Sequence, residues 1–169
     1  MRGPVEEGVY KIAVEFGQYP NQYTRFGNYV IDCAEASVAN GATVMLWTPD
    51  PSYENQKIRV IPGNDGYYEL EFVHSRKLID VAGRSMDEGA KVFQWERNGH
   101  DNQQWEIVPS EKEGFFYIIA RHSGKYLSSQ HQNSILLAET DDPKHFGAEL
   151  TVYSNHHGSN QRWRFDKIG

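Results

Sequence analysis

A single cysteine, Cys33, stands in the whole chain. An internal disulfide framework and a cysteine-based zinc site are therefore both excluded. No apolar run approaches the roughly 18 residues that a membrane-spanning helix needs. The opening stretch MRGPVEEGVY lacks the apolar segment of a secretory signal. The compartment stays open on this evidence: extracellular for a module cut from a longer precursor, cytoplasmic otherwise. Basic residues are outnumbered, 17 Lys and Arg against 23 Asp and Glu, for a formal net charge of −6. With no Lys/Arg stripe, the chain is not built to grip a phosphate backbone, so nucleic acid is not an expected partner. Neutral ligands remain. Capped amphipathic helices are missing too, since DCAEASVANG is too short and too broken to count.

What the chain does have is aromatic side chains, 13% of its 169 residues, and a pattern that recurs three times. The four residues Asn102 to Trp105 read NQQW, and they have relatives in NQKI (Asn55 to Ile58) and NQRW (Asn160 to Trp163). Upstream of each lies a strand-like piece ending in an aromatic: TVMLW to Trp47, KVFQW to Trp95, ELTVY to Tyr153. Further upstream come YVID to Asp32, KLID to Asp80 and KYLS to Ser128. Fifteen positions separate Asp32 from Trp47, and fifteen separate Asp80 from Trp95. Seven separate Trp95 from Asn102, and seven Tyr153 from Asn160. The first unit is one residue longer here, in a loop with two prolines. The third carries about ten extra residues in AETDDPKHFGAE, which reads as an inserted loop.

Each unit is made of short β segments. In YYELEFV, Tyr68, Leu70 and Phe72 share one face and Glu69 and Glu71 the other; in YKIAVEF the shared face carries Ile12, Val14 and Phe16. About twelve strands result, four per unit, with repeats near 9–62, 63–110 and 111–169 of a single domain spanning 1–169. A four-stranded unit of this length cannot bury its own apolar face. Three of them around a pseudo-threefold axis can, by closing a barrel and capping one end, which also removes exposed strand edges. The expected fold is all-β, a β-trefoil. A propeller is the rival for four-stranded repeats, but three blades are fewer than propellers use.

The segment KLIDVAGRSMDEGAKVFQWERNGHDNQQW resembles the ricin B-chain type of lectin domain, whose hallmark is a repeated Gln-x-Trp. The resemblance runs from about Val9 to the end and is most specific in the second unit. It implies a shallow sugar pocket per unit, lined by the acid, the aromatic and the Asn before the Gln-x-Trp. In the second unit these are Asp80, Trp95 and Asn102, with Gln103 beside them. In the first they are Asp32, Trp47, Asn55 and Gln56. The third keeps Tyr153, Asn160 and Gln161, but Ser128 replaces the acid, so it is the weaker site. Many members carry a polar residue two before the aromatic. Here those positions hold Met45, Phe93 and Thr151, which implies less hydrogen bonding and more apolar surface than the family's usual galactose-type contact.

These residue types suit a sugar. An aromatic covers the C–H face of the ring. A carboxylate accepts from neighbouring hydroxyls in charge-assisted bonds roughly twice as strong as neutral ones. A carboxamide donates and accepts at once. Shallow, wet pockets of this kind give single-site dissociation constants on the order of 0.1–1 mM, so avidity needs several sites. The residues themselves assign Gln103 and Trp105 to the fold: Trp105 to the barrel interior, Gln103 to buried backbone groups. Ile58 in the first unit fits a core position.

No cofactor, metal or catalytic set is expected. His156 and His157 are adjacent in a loop without partner ligands, Glu139, Asp141 and Asp142 read as a solvated acidic patch, and Cys33 as a small core residue. The expected function is non-catalytic glycan binding, by a free lectin or by a module of a larger glycan-active enzyme, without membrane insertion. A protein-binding or protease-inhibitor trefoil is the alternative. It would use YPNQYTRFGN (Tyr19 to Asn28) and the inserted loop.

Overall fold

The structure is a computed structural model and describes residues 3–15, 29–129 and 148–169. The Tyr19–Asn28 loop, Phe16, the acidic patch at Glu139, Asp141 and Asp142, and all but the end of the inserted loop lie outside these residues. Twelve strands are present: β1 (Gly8–Val14), β2 (Val30–Cys33), β3 (Val44–Trp47), β4 (Ile58–Pro62), β5 (Tyr68–Phe72), β6 (Leu78–Val81), β7 (Ala90–Trp95), β8 (Trp105–Pro109), β9 (Phe116–Ala120), β10 (Tyr126–Ser129), β11 (Leu150–Tyr153) and β12 (Trp163–Lys167). Among the described residues, no helix is long and apolar enough to cross a membrane.

Six strands close on themselves. β1 pairs with β4, β4 with β5, β5 with β8, β8 with β9, β9 with β12, and β12 with β1, every pair antiparallel. The other six form the hairpins β2–β3, β6–β7 and β10–β11. The hairpins join in a triangle at one end of the barrel, through Thr151↔Lys91 and the bridges Thr43↔Phe93 and Met45↔Glu149. This is the β-trefoil.

Alternation along the barrel strands explains the closure. Ile12, Val14, Ile58, Val60, Leu70, Phe72 and Ile118 are wholly excluded from water. Each such side chain contributes about 1.5–3 kcal/mol by burial. The residue that ends each amide run opens a barrel strand. Trp105 and Trp163 are fully buried, and their indole N–H groups donate to the carbonyls of Ile79 and Leu127, both at 3.0 Å. Ile58 takes the equivalent place without a polar atom and is equally buried.

Tyr68, Leu70 and Phe72 pack inward as the alternation requires. Glu71, on the opposite face, is also buried, and it is held by Arg59 at 2.6 Å and Arg97 at 3.2 Å. A second buried acid, Glu15, is held by Lys112 and Arg162. Two cations on one buried carboxylate offset its desolvation, so a glutamate that alternation alone would place in water sits inside. Cys33 is fully buried, with its thiol directed at the Ser37 carbonyl, and burial pushes that thiol up to about 12, far from a nucleophile's range.

Candidate functional site

The second repeat forms its cleft where β6 and β7 end. Asp80 is the third residue of β6 and is paired across the hairpin with Phe93. After Val81 the chain makes a tight turn, Ala82–Arg84, whose Gly83 and Arg84 have φ of 63° and 54°. On β7, Phe93 and Trp95 are two residues apart and so share a face. Their rings stack at 5.3 Å with 25° between planes. Asn102 and Gln103 sit in a single helical turn, Asp101–Gln103.

Two amides hold the acid from inside. Asn102 Nδ2 donates to Asp80 Oδ1 (3.0 Å) and to the Val81 carbonyl (3.0 Å). Gln103 Nε2 donates to Asp80 Oδ2 (2.9 Å) and to the Glu96 carbonyl (2.8 Å), while its Oε1 accepts the Asn98 N–H (3.0 Å). Gln103 is wholly buried and all three of its bonds point inward, so it positions Asp80 and does not line the cleft. Asp80, Trp95 and Asn102 do line it, with Phe93 as an added apolar wall, in a volume of about 370 Å³. Asn102 Oδ1 is buried and has no hydrogen-bond partner among the described residues. Asn160 Oδ1 in the third repeat is in the same condition, so this feature belongs to the repeated amide turn.

The first repeat repeats this construction. Asn55 Nδ2 donates to Asp32 Oδ1 (3.1 Å) and the Cys33 carbonyl (2.9 Å). Gln56 Nε2 donates to Asp32 Oδ2 (3.0 Å) and the Thr48 carbonyl (2.9 Å), and Oε1 accepts the Asp50 N–H (2.9 Å). Gln56, like Gln103, is fully buried. Asp32, Trp47 and Asn55 line a cleft of about 440 Å³ with Met45. Burial raises both Asp32 and Asp80 to about 6, against the opposing pull of the amide N–H groups.

The third repeat keeps the amides and loses the charge. Asn160 Nδ2 donates to the Ser129 carbonyl (2.9 Å). Gln161 Nε2 donates to Ser128 Oγ (3.1 Å) and the Ser154 carbonyl (3.0 Å). The Ser128 hydroxyl donates to the Tyr126 carbonyl (2.8 Å) and is wholly buried. Tyr153 is half-buried at the place of the two tryptophans.

The clefts also contain residues that the repeat pattern did not single out. Arg84, Asn98 and His100 line the second, and Glu35, Ala36 and Tyr53 line the first. Counting outward from the matched Asp and Asn positions pairs Arg84 with Ala36 and His100 with Tyr53, while Asn98 has no counterpart in the first cleft.

Each cleft is braced by the next repeat. Gln94 Nε2, from the second repeat, donates to the carbonyls of Ser37 and Ala39 at 2.8 Å, and His74 Nε2 lies 2.7 Å from the Ser37 carbonyl. These hold the loop behind the first cleft. His122, from the third repeat, reaches the Ser85 carbonyl at 2.8 Å behind the second cleft.

A barrel capped by three hairpins, each carrying an inward-latched polar residue beneath an aromatic, defines a β-trefoil of the lectin type. Residues 54–138 match the model of the family described as ricin-type β-trefoil lectin domain-like, and the chain belongs to that family. No curated protein sequence matches it significantly. Among solved structures it is similar to ThreeFoil, a designed threefold-symmetric protein, at 32% identity and a TM-score of 0.78 over 95% of this chain and 99% of that one. It is similar in fold to 1,3Gal43A, an exo-β-1,3-galactanase from Clostridium thermocellum, at 23% identity and a TM-score of 0.77; 99% of this chain covers 31% of the galactanase. It is also similar in fold to the Polyporus squamosus lectin, at 19% identity and a TM-score of 0.69, where 99% of this chain covers 50% of the lectin.

Proposed function

We infer that this chain is a non-catalytic glycan-binding module, with its best site in the second repeat and a second site in the first. One observation carries the reading. In both repeats an acid, an indole and an Asn converge on one open cleft, and the acid's two oxygens are each tied from behind by an amide. A carboxylate fixed this way keeps its remaining lone pairs for outside donors, which neighbouring sugar hydroxyls supply. The half-buried indole beside it offers a flat surface to the ring's C–H face. Family membership supports the class, and the Polyporus neighbour was solved bound to Neu5Acα2-6Galβ1-4GlcNAc. In the third repeat the buried Ser128 hydroxyl supplies no charge, so Tyr153, Asn160 and Gln161 form at most a weak site.

Phe93 and Met45 stand where a polar contact is usual in the family. Their apolar faces favour a ligand that presents C–H groups or a methyl substituent there. The alternative reading, protein binding, rests on the Tyr19–Asn28 loop and the inserted loop, which lie outside the described residues but for Ala148 and Glu149.

A glycan array run with wild type and an Asp80→Ala/Asn102→Ala double mutant, with circular dichroism of both, tests the assignment. Wild type should bind at millimolar or tighter affinity and the folded mutant should lose most of that signal. Silence of the wild type across the array sinks the lectin reading. Undiminished binding by a folded double mutant sinks the site.

A further inference from the structure

The two clefts share an acid, an indole and an Asn, and they differ in the charge around that set. After the acid-bearing strand, the second repeat places Gly83 and Arg84 in the left-handed region, with φ of 63° and 54°. The first places Glu35 and Ala36 there, with φ of 57° and 53°. Both turns close alike, the Ser37 N–H bonding the Ala34 carbonyl and the Ser85 N–H the Ala82 carbonyl. Gly83 is therefore equivalent to Glu35 and Arg84 to Ala36, and all four line their clefts. His100 lines the second where Tyr53 lines the first. The first cleft thus has two carboxylates, Asp32 and Glu35, and no cation in its lining. The second has one carboxylate with a guanidinium and an imidazole. Arg84 is tethered through Nη2 to Asp101 Oδ1 at 3.1 Å, and its side chain is 54% exposed. That contact fixes one edge of the guanidinium near the cleft and leaves other N–H groups for a ligand.

We propose that the second-repeat cleft prefers glycans carrying an anionic substituent, a carboxylate or a sulfate, and that the first-repeat cleft disfavours them. This rests on the reading of both clefts as glycan sites. A guanidinium presents a planar fork of donors that matches two oxygens of such a group. In the first cleft the same group would face Asp32 and Glu35 with no counter-charge, and like-charge juxtaposition is a standard source of discrimination. The rims are hydrated and screened over a Debye length of about 8 Å at physiological salt. An exposed pair of this kind gives discrimination of about fivefold.

The chain has four tryptophans. Trp105 and Trp163 are sealed in the barrel, so the indole N–H signals of Trp47 and Trp95 report the two clefts separately. The ligands to titrate are the methyl glycosides of galactose, galacturonic acid and galactose 6-sulfate. Both acids should shift Trp95 at about fivefold lower concentration than Trp47, with the difference shrinking in high salt. Arg84→Ala should lower the acid-to-neutral affinity ratio at Trp95, and Glu35→Gly with Ala36→Arg should raise it at Trp47. Response to one acid alone identifies which anion the cleft takes. Equal midpoints at both tryptophans, or a ratio unmoved by Arg84→Ala with the Trp105 and Trp163 signals intact, overturns the proposal. If the neutral galactoside binds but the acids show no preference for Trp95, only this inference falls. If neither these three nor any glycan of the array moves either indole, the glycan reading falls with it.

Discussion

Replacing Gln103 by Glu changes one NH2 to oxygen and almost nothing in volume. The new carboxyl would lie where Nε2 now sits 2.9 Å from Asp80 Oδ2 and 2.8 Å from the Glu96 carbonyl. Both donated bonds are lost, about 1.5–3 kcal/mol for the charged partner and about 0.5–1.5 for the neutral one. Two buried carboxyls at this separation cannot both ionise, so the folded state keeps one proton that the unfolded chain releases. Retaining that proton costs about 1.4 kcal/mol for each pH unit above the unfolded carboxyl range. The sign follows from linkage. The folded variant binds more protons than its unfolded form, so its stability falls as pH rises, and it recovers toward pH 4–5, where the shared proton restores a donor. We expect a loss of about 3–5 kcal/mol at pH 7, or roughly 6–20 °C in Tm for a chain of this length. Urea denaturation of wild type and variant at pH 5 and pH 7 reads both the loss and its slope. A loss that does not change with pH would show that Gln103 acts through packing alone and would refute the latch. Gln56→Glu should follow the same course less steeply, because Lys11 Nζ lies 3.5 Å from Gln56 Oε1 and partly compensates the new charge.

Asp32 and Asp80 are raised to about 6 by burial. Each therefore contributes stability that is fully present below the ordinary carboxylate range and lost as pH rises through about 6. The carboxyl carbons should titrate near that value by NMR, and glycan affinity at Trp95 should weaken as pH falls from neutral through it; midpoints in the ordinary range would contradict the described burial. Glu35 holds a left-handed backbone at φ 57°, which costs a non-glycine residue about 1–2 kcal/mol. Allowing for the freer unfolded chain, Glu35→Gly should raise stability by about 0.5–1 kcal/mol. An unchanged or lowered denaturation midpoint would mean that the strain is not there.

The threefold fold was legible because its determinants are periodic. Ile58, Trp105 and Trp163 close each amide run, and a bulky apolar residue two positions after Gln56, Gln103 and Gln161 alike has few structural explanations. The structural role of Gln103 could be argued from desolvation alone, and its bonds to Asp80 and Glu96 give that role its geometry. Glu71 was harder to place. Alternation locates its face, but only the fold brings Arg59 and Arg97 to it. The charge contrast between Glu35 and Arg84 was invisible for another reason. Both sit in a tight turn whose backbone conformation, not its side-chain chemistry, is what recurs. A pattern search built on matching residue types passes over the adjacent turn positions where the two clefts differ in charge.

The braces from Gln94, His74 and His122 separate the unit of repetition from the unit of recognition. The first and second repeats each own their acid, indole and amides, but the loop behind each of these clefts is pinned by contacts to its carbonyls from the following repeat. The second repeat cut out as a peptide would carry its acid, indole and amides and still lack the contact from His122 behind them. In the fused chain, altering a brace in one repeat should retune the cleft of its neighbour.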